Sequence, residues 1–262
     1  MRAMNIAATG MQAQQTNVEV ISNNIANMNT TAYNRRLPEF TDLLYQNLQR
    51  VGTFSSDNNT IVPSGIQLGL GVKTTAVYRI TEQGPLNNTN NSLDLAVQGK
   101  GYFQVQLPDG TTAYTRDGTF QLSPQGQLVT GQGYQVLPGI TVPNNAVGVT
   151  INNSGQVSIS VTGQVQPSIA GQITLANFPN DAGLEAMGNN LFVQTASSGN
   201  PIVANPGTTN FGTILQGYLE QSNVNVVSEI TNLISAQRAY EMNSKVIQTT
   251  DNMMQTTAQL KS

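Results

Sequence analysis

The chain has 262 residues, with 11 Lys and Arg against 14 Asp and Glu, and a formal net charge of −3. Only 10% of its residues are charged, compared with about 25% in an average soluble protein. It contains neither Cys nor His, which excludes disulfides, thiolate metal sites and the commonest general base. The few scattered basic residues argue against a nucleic-acid-binding face, and a weakly charged surface favours packing against like subunits.

The first residues, MRAMNIAATGMQAQQ, lack the long apolar run of a secretory signal peptide. No stretch approaches the ~18 consecutive apolar residues that a membrane helix needs. We therefore expect no membrane insertion. If the protein leaves the cytoplasm, we expect export without a cleaved signal peptide.

Residues 1–30 show the heptad spacing of a coiled-coil helix, which would be about 45 Å long. One row of positions seven apart contains Met4, Met11, Val18 and Ile25, and a second row contains Ala7, Gln14, Ile21 and Met28. The period alone leaves open the alternative of a single amphipathic helix lying on its own domain.

The C-terminal segment repeats this heptad spacing. Its apolar row contains Val226, Leu233, Tyr240, Ile247 and Met254, and the row assigned as its partner contains Ile230, Gln237, Ser244, Asp251 and Ala258. Such a narrow apolar stripe suits a long helix with one packed edge and other faces open to neighbours. We therefore expect the two terminal helices to pack together, with the middle of the chain inserted between them.

The middle of the chain has a different pattern. Residues 34–70 predict a connecting arm, with a short helix around Leu43, Leu44 and Leu48 followed by an extended polar segment. Residues 71–219 alternate apolar and polar positions between Gly-containing turns, which predicts an all-β domain of sandwich or barrel type. The fold class is therefore α+β, with a helical domain of residues 1–33 and 220–262.

Few residues suggest catalysis. The carboxylates that could form an acid/base pair are Asp94, Asp109, Asp117 and Asp181. Asp109 and Asp117 each precede a Gly, where Asp is expected to make local hydrogen bonds in a turn, whereas Asp94 is ambiguous. Gly69–Lys73, GLGVK, lacks the spacing of a phosphate-binding loop, so we interpret it as a turn into a strand. We expect no catalytic site, cofactor or metal.

Three segments carry a family resemblance. SNNIANMNTTAYNR at 22–35 resembles the N-terminal motif of bacterial flagellar rod and hook subunits, LDLAVQGKGYFQVQLPDGTTAYTRDGTFQL their central β motif, and SNVNVVSEITNLISAQRAYEMNSKVIQTTD their C-terminal helix. The length and the segment YQNLQRVGTFSSDNNTIVP are similar to the members that build the distal rod. Ala32 departs from the family pattern, which usually has Gly there, and Asn34 stands where Lys is frequent.

The resemblance implies a subunit that polymerises helically into a hollow, rigid shaft crossing the periplasm. The terminal helices would form the inner tube and the β domain an outer layer. The implied partners are further copies of the chain, proximal rod subunits, hook subunits, periplasmic and outer-membrane ring proteins, and the flagellar export apparatus. The implied location is the flagellar basal body.

We expect assembly contacts in three groups of residues. The helical group is Met4, Met11, Val18, Ile21, Ile25, Met28, Val226, Ile230, Leu233, Tyr240, Ile247 and Met254; the polar group is Asn23, Asn24, Asn27, Thr30, Tyr33, Gln237 and Arg238; and the arm group is Tyr45, Gln46, Phe54 and Pro63. The amides of Asn23, Asn24 and Asn27 are expected to bridge neighbouring subunits without burying charge. The alternatives are another rod or hook subunit, a secreted β-rich adhesin or glycan-binding module, and a carboxylate-based hydrolase.

Overall fold

The computed structural model describes residues 2–49, 65–161, 163 and 166–260. The chain divides into two compact units. The first, called the helical unit, comprises Met1–Ala26, Arg36–Arg79 and Asn225–Ser262. The second, called the β unit, comprises Asn27–Arg35 and Ile80–Val224. The α+β class and the helices at both ends of the chain are confirmed.

The helical unit consists of two long helices and two antiparallel strand pairs. Its elements are α1 (Arg2–Ala26), β1 (Arg36–Asp42), β2 (Tyr45–Gln49), β3 (Ile66–Gly69), β4 (Val72–Arg79) and α2 (Val226–Leu260). β1 pairs with β4 along its whole length, and β2 pairs with β3. α1 packs against both α2 and the β1–β4 pair, so this helix has to bury two of its sides.

Local side-chain hydrogen bonds support the second helix despite its many polar residues. Asn225 caps its start, because the side-chain oxygen accepts a hydrogen bond from the N–H of Ser228 at 3.2 Å. Hydroxyl groups along the helix donate to the carbonyl four residues earlier, in Thr231, Ser235, Thr249, Thr250, Thr256 and Thr257. These bonds satisfy the hydroxyls inside the helix, so the polar composition does not interrupt it.

Two sequence predictions in the helical unit are wrong. α1 ends at Ala26 rather than near residue 30, and Met28 lies in the turns that follow it. The short helix around Leu43, Leu44 and Leu48 is absent: Leu43 and Leu44 form the corner between β1 and β2, and Leu48 lies in β2. Pairing with distant strands satisfies this backbone, since Leu43 N–H donates to the Gly71 carbonyl and Leu70 N–H to the Leu44 carbonyl.

The β unit confirms the β-rich middle of the chain. Its strands are β5 (Leu86–Asn88), β6 (Leu95–Gln98), β7 (Tyr102–Gln106), β8 (Thr112–Thr115), β9 (Phe120–Leu122), β10 (Leu128–Thr130), β11 (Gln135–Val136), β12 (Ala146–Ile151), β13 (Gln156–Val161), β14 (Ser168–Gln172), β15 (Leu175–Asn177), β16 (Glu185–Gly188), β17 (Leu191–Val193), β18 (Ile202–Ala204), β19 (Thr213–Gln216) and β20 (Tyr218–Glu220), with a 3-10 turn at Asp181–Gly183. A nine-stranded sheet has the order β16-β17-β8-β7-β11-β10-β9, with β15 joining β7 to β18.

Smaller ladders complete the β unit. β12, β13 and β14 form a three-stranded sheet, and β19–β6 and β20–β5 form pairs. The main apolar core contains Leu95, Val97, Phe103, Phe120, Leu128, Val136, Ile140, Ile151, Val157, Ile173, Leu175 and Ile214. A second cluster, of Tyr102, Tyr114, Ala176, Phe178, Leu184 and Phe192, packs aromatic rings edge to face. Burial raises the pKa of Tyr114.

The turn interpretation of the two Asp-Gly sequences is confirmed. Asp109 accepts hydrogen bonds from the N–H and hydroxyl of Thr111, at 2.9 and 2.6 Å. These bonds lower the pKa of the Asp109 carboxyl. Asp117 accepts the same pair of bonds from Thr119, at 3.0 and 2.8 Å. GLGVK runs from the end of β3 into β4, as expected of a turn into a strand. In the described part of the chain, neither helix is long and apolar enough to span a membrane.

Candidate assembly surface

The two terminal helices run antiparallel within the helical unit. Asn24 of α1 contacts Glu229 of α2, and Gly10 lies beside Asn243. Both helices advance 14 residues between these contacts, in opposite directions. A Cβ added at Gly10 would lie 2.9 Å from the Asn243 side-chain nitrogen, so the missing side chain lets the helices approach closely.

The face of α2 that packs within the chain differs in part from the predicted one. The predicted apolar row is half-buried at Val226, Leu233, Ile247 and Met254, whereas Tyr240 is exposed. In the row assigned as its partner, only Ser244 is half-buried, whereas Ile230, Gln237, Asp251 and Ala258 are exposed. The inner row lies one residue earlier, at Glu229, Ala236, Asn243 and Thr250, all of which are buried or half-buried.

The predicted rows of α1 are better placed. Met4, Met11, Val18 and Ile25 are half-buried, and Ala7 and Ile21 are buried. Ala13 and Val20 are also buried, although they belong to neither row. They follow from the second packed side of α1, which the heptad pattern does not describe.

Asn24 forms a buried polar contact that joins three elements of the helical unit. Its side-chain nitrogen donates to the Arg36 carbonyl at 2.9 Å and to the Glu229 carboxylate at 3.2 Å, and its oxygen accepts the Arg36 N–H at 2.9 Å. Asn24 and Glu229 are only 1% and 2% exposed. The structure therefore corrects the sequence interpretation for Asn24: both amide hydrogens are used within the chain, where they join α1, α2 and β1.

We expect Asn24→Ala to lower the free energy of unfolding of the helical unit by about 2–4 kcal/mol. The substitution leaves the Arg36 backbone groups and the Glu229 carboxylate without this partner, and each unsatisfied buried group costs about 1–3 kcal/mol. Urea unfolding followed by circular dichroism at 222 nm measures the change. Ser22→Ala, at an exposed position on the same helix, is the matched control, and an equal loss in both variants would contradict the assignment.

The end of the opening motif depends on a left-handed residue. Ala32, which stands where the family usually has Gly, has φ 54° and is buried. Its N–H donates to the Glu220 carbonyl at 2.8 Å, so a tertiary hydrogen bond supports the unfavourable backbone angle. Alanine thus adopts the conformation for which glycine is normally selected, at a cost of about 1–2 kcal/mol.

We expect Ala32→Gly to stabilise the β unit by about 0.5–1 kcal/mol. Glycine removes the left-handed strain, and part of that gain is lost to the greater freedom of glycine in the unfolded chain. The measurement is the urea midpoint of the β unit. Ala32→Val is expected to lower this midpoint, because a β-branched residue tolerates positive φ least. A lower midpoint for Ala32→Gly would contradict the account.

The remaining motif residues form the turns after α1. Asn27 accepts hydrogen bonds from the N–H and hydroxyl of Thr30, both at 3.1 Å. The Tyr33 carbonyl accepts the Asn223 N–H at 3.3 Å. Asn23 is exposed on α1, and Asn27 is half-buried. Contacts of Asn23, Asn27, Thr30 and Tyr33 with other subunits stay a prediction.

α2 carries exposed apolar residues that its packing against α1 leaves uncovered. They are Val227, Ile230, Ile234, Tyr240, Met242, Val246 and Met253, with Val227 75% exposed. Gln237 and Arg238 are exposed on the same helix. A run of exposed side chains of this kind along one helix is typical of a surface covered by another protein.

A groove with a volume of about 490 Å³ lies beside the seam, between α1, β1 and α2. Ile21, Phe40 and Ala239 contribute apolar surface to it, and several amides line the rest. The Nε atom of Arg36 is buried there without a hydrogen-bond partner among the described residues. The groove therefore combines apolar surface, neutral amides and the positive charge of Arg36.

The predicted arm begins as a two-stranded ribbon. Tyr45 pairs with Gly69 and Gln46 with Leu68 in the β2–β3 ladder, and the side chains of Tyr45, Gln46 and Leu68 are exposed. The other two predicted arm residues, Phe54 and Pro63, lie outside the described residues. An isolated two-stranded ribbon is marginally stable in water, so this one is expected to gain from a neighbour.

The buried ion pair of the β unit was missed by the sequence analysis. Arg116 contacts the Glu220 carboxylate at 2.9 Å and donates to the carbonyls of Gly99, Gly101 and Val97 at 2.8, 3.0 and 3.2 Å. The other Glu220 oxygen accepts the Gly84 N–H at 3.1 Å. No local pattern indicates that the Arg in TRDG would meet a Glu 104 residues later in the chain.

The carboxylate considered for catalysis has a structural role. Asp94 is buried and accepts hydrogen bonds from the Thr89 hydroxyl at 2.6 Å and the Asn91 amide at 2.9 Å. Across the described ranges, no group of three or more acidic side chains is placed to hold a metal ion. The Asp94 side chain is therefore engaged within its own turn.

Three family models match successive segments of the chain. "Flagella basal body rod protein" matches residues 4–33, "Flagellar hook protein FlgE/F/G D1 domain" residues 96–159, and "Flagellar basal body rod FlgEFG protein C-terminal" residues 215–260.

Similar proteins of several bacteria match the chain over nearly its full length. The flagellar basal-body rod protein FlgG of Caulobacter vibrioides is 59% identical over 100% of both chains. That of Agrobacterium fabrum is 53% identical over 97% of both. The corresponding protein of Borreliella burgdorferi is 47% identical over 97% of this chain and 96% of its own.

Proposed function

The chain belongs to the FlgG family of flagellar basal-body rod proteins, and we propose that it is the structural subunit of the distal rod. Many copies polymerise helically into a hollow, rigid drive shaft, which transmits torque from the motor to the hook and leaves an export channel open. In this proposal, the two terminal helices form the inner tube and the β-rich middle of the chain an outer layer. The chain acts as a building block and not as an enzyme.

The main support for this proposal is the set of exposed apolar residues on α2. Residues such as Met242, Val246 and Met253 remain exposed although α1 packs against this helix. Burying apolar surface contributes about 25 cal/mol per Å², so covering these side chains supplies a driving force for association. A tube gives each helix several neighbours, whereas a dimer covers one face.

The low charge of the chain supports repeated self-contact. With 10% charged residues and a net charge of −3, copies repel one another weakly. The inner row of α2 contains Glu229, Asn243 and Thr250, so the helix pair has a partly polar seam. Such a pair is marginal by itself, and completing it at the growing tip keeps subunits monomeric during export.

The further partners that we propose follow from the position of a distal rod subunit between the proximal rod and the hook. Proximal rod subunits lie at one end, hook subunits at the other, and periplasmic and outer-membrane ring proteins surround the shaft. The flagellar export apparatus delivers the chain without cleavage of a signal peptide. These assignments rest on membership of the rod family.

The arm that begins at the β2–β3 ribbon stiffens the shaft by bridging adjacent subunits. Its exposed apolar residues include Tyr45, Leu48 and Leu68, which a neighbouring subunit would cover. Deletion of residues 46–63 is expected to give rods that bend. A straight, unchanged rod after the deletion would remove this role.

Deletion of the gene, followed by electron microscopy of purified basal bodies, tests the function. We expect basal bodies with a shortened rod and no hook, and restoration of both by the full-length chain. A matched variant that lacks residues 226–260 removes α2 and is expected to fail. Complete rods and hooks in the deletion strain would overturn the proposal.

A further inference from the structure

The guanidinium of Arg36 is the least satisfied charged group in the groove beside the seam. Its Nε is buried without a hydrogen-bond partner, and Arg36 makes no ion pair within the described part of the chain. The Glu229 carboxylate lines the same groove but receives a hydrogen bond from Asn24. Arg36 is half-buried and lines the groove, so its positive charge favours an occupant with an acidic group.

The rest of the groove indicates what else that occupant should carry. The apolar part of its wall includes Ile21, Phe40 and Ala239, and its other side chains include the neutral amides of Gln14 and Asn232. A volume of about 490 Å³ lies within the range of small-molecule pockets, about 300–1,000 Å³. One or two apolar side chains next to a carboxylate would fill and satisfy it.

The corner between β1 and β2 has this composition. Leu44 is 83% exposed, and Asp42 and Tyr45 on either side of the corner are also exposed. A hydrogen bond with Asp42, together with its negative charge, raises the pKa of Tyr45. The Asp42 carboxylate keeps further acceptor sites, because two oxygens provide about four.

We propose that the groove of one copy receives the Asp42–Leu44 corner of a second copy. Asp42 then pairs with Arg36 of the first copy, and Leu44 covers the apolar wall of the groove. This contact rests on the proposed polymerisation and specifies one of its interfaces. Groove and corner are different surfaces of the same chain, so the contact is head-to-tail, and its repetition generates an open helical polymer when the rotation does not close a ring.

Disulfide cross-linking tests the contact directly, because the chain has no Cys of its own. Leu44→Cys is combined with Asn232→Cys, an exposed position at the groove. Oxidation of the polymer is expected to give a ladder of covalent multimers, since a disulfide requires Cα atoms about 4.4–6.8 Å apart. Leu44→Cys combined with Met187→Cys, exposed in the β unit, is the matched control and should not give a ladder.

Charge reversal tests the ion pair independently. Arg36→Glu and Asp42→Arg should each reduce the pelleted polymer at least tenfold, and the double variant should restore most of it. Circular dichroism of each monomer verifies that the helical unit remains folded. Polymer formation that is normal in both single variants, or unrecovered in the double variant, would overturn the proposed contact.

The outcomes separate this contact from the function on which it rests. Unmodified chains that form no polymer overturn both proposals. Polymers of the Leu44→Cys and Asn232→Cys chain that give no ladder on oxidation overturn the corner contact alone and leave the rod function standing.

Discussion

Arg116→Ala is expected to lower the free energy of unfolding of the β unit by about 3–5 kcal/mol, the usual cost of removing one partner from a buried ion pair. The substitution leaves the Glu220 carboxylate buried with an uncompensated charge, at 4% exposure. It also removes the donors to the carbonyls of Gly99, Gly101 and Val97. One side chain thereby connects β6, the turn before β7 and the end of β20.

Urea unfolding of the full chain, followed by near-ultraviolet circular dichroism of its tyrosines, measures this loss. Tyr102 and Tyr114 are buried in the β unit and report on its packing. Lys100→Ala removes a positive charge from an exposed position and serves as the matched control. A loss for Arg116→Ala no larger than that for Lys100→Ala would show that the buried pair is unimportant.

The second large effect is expected at Gly118, where backbone segments approach too closely for any side chain. A Cβ added there would lie 1.6 Å from the Leu95 carbonyl oxygen. The same strand start also pairs through the bridge between Asp94 and Thr119, so neither segment can move without breaking hydrogen bonds. We expect Gly118→Ala to destabilise the β unit by more than about 3 kcal/mol, at the upper end of overpacking costs.

Gly131→Ala is the control for this substitution. No atom lies within 4 Å of a Cβ added at Gly131, so the only expected change is a slight stabilisation through the unfolded chain. Both variants are compared by urea unfolding and by the yield of soluble protein. Equal stability of the two variants would contradict the close approach at Gly118.

The sequence predicted the architecture because its hydrophobic periods are long and uninterrupted. The heptad spacing of both termini predicted the helices, and alternation with Gly-containing turns predicted the β-rich middle. Asp109 and Asp117 were predicted as turn residues from local chemistry alone, since their partners lie two residues away. Features that depend on residues close in sequence could therefore be predicted.

Features that depend on contacts between residues far apart in sequence could not be predicted. The heptad spacing predicts the second row of α2 at Ile230 and Gln237, whereas Glu229 is buried and Asn243 half-buried, one residue earlier in each heptad. A carboxylate can occupy this row because Asn24 satisfies it from the other helix. The periodicity of one helix does not reveal the hydrogen bonds supplied by another.

The prediction of a short helix around Leu44 and Leu48 was wrong for a related reason. A few apolar residues over a short segment are compatible with either a helix or a strand. Backbone pairing with β3 and with Gly71 decides in favour of strands. The groove around Arg36 likewise forms only where α1, β1 and α2 pack together, and no local pattern in the sequence predicts it.

Helical reconstruction of the polymer by cryo-electron microscopy tests the central claim most directly. The account predicts a straight, hollow tube in which paired α1 and α2 helices lie nearest the axis. Met242, Val246 and Met253 should contact neighbouring copies, and the β2–β3 ribbon should reach an adjacent subunit. A polymer in which these α2 side chains face solvent, or in which the helix pair lies at the outer surface, would contradict it.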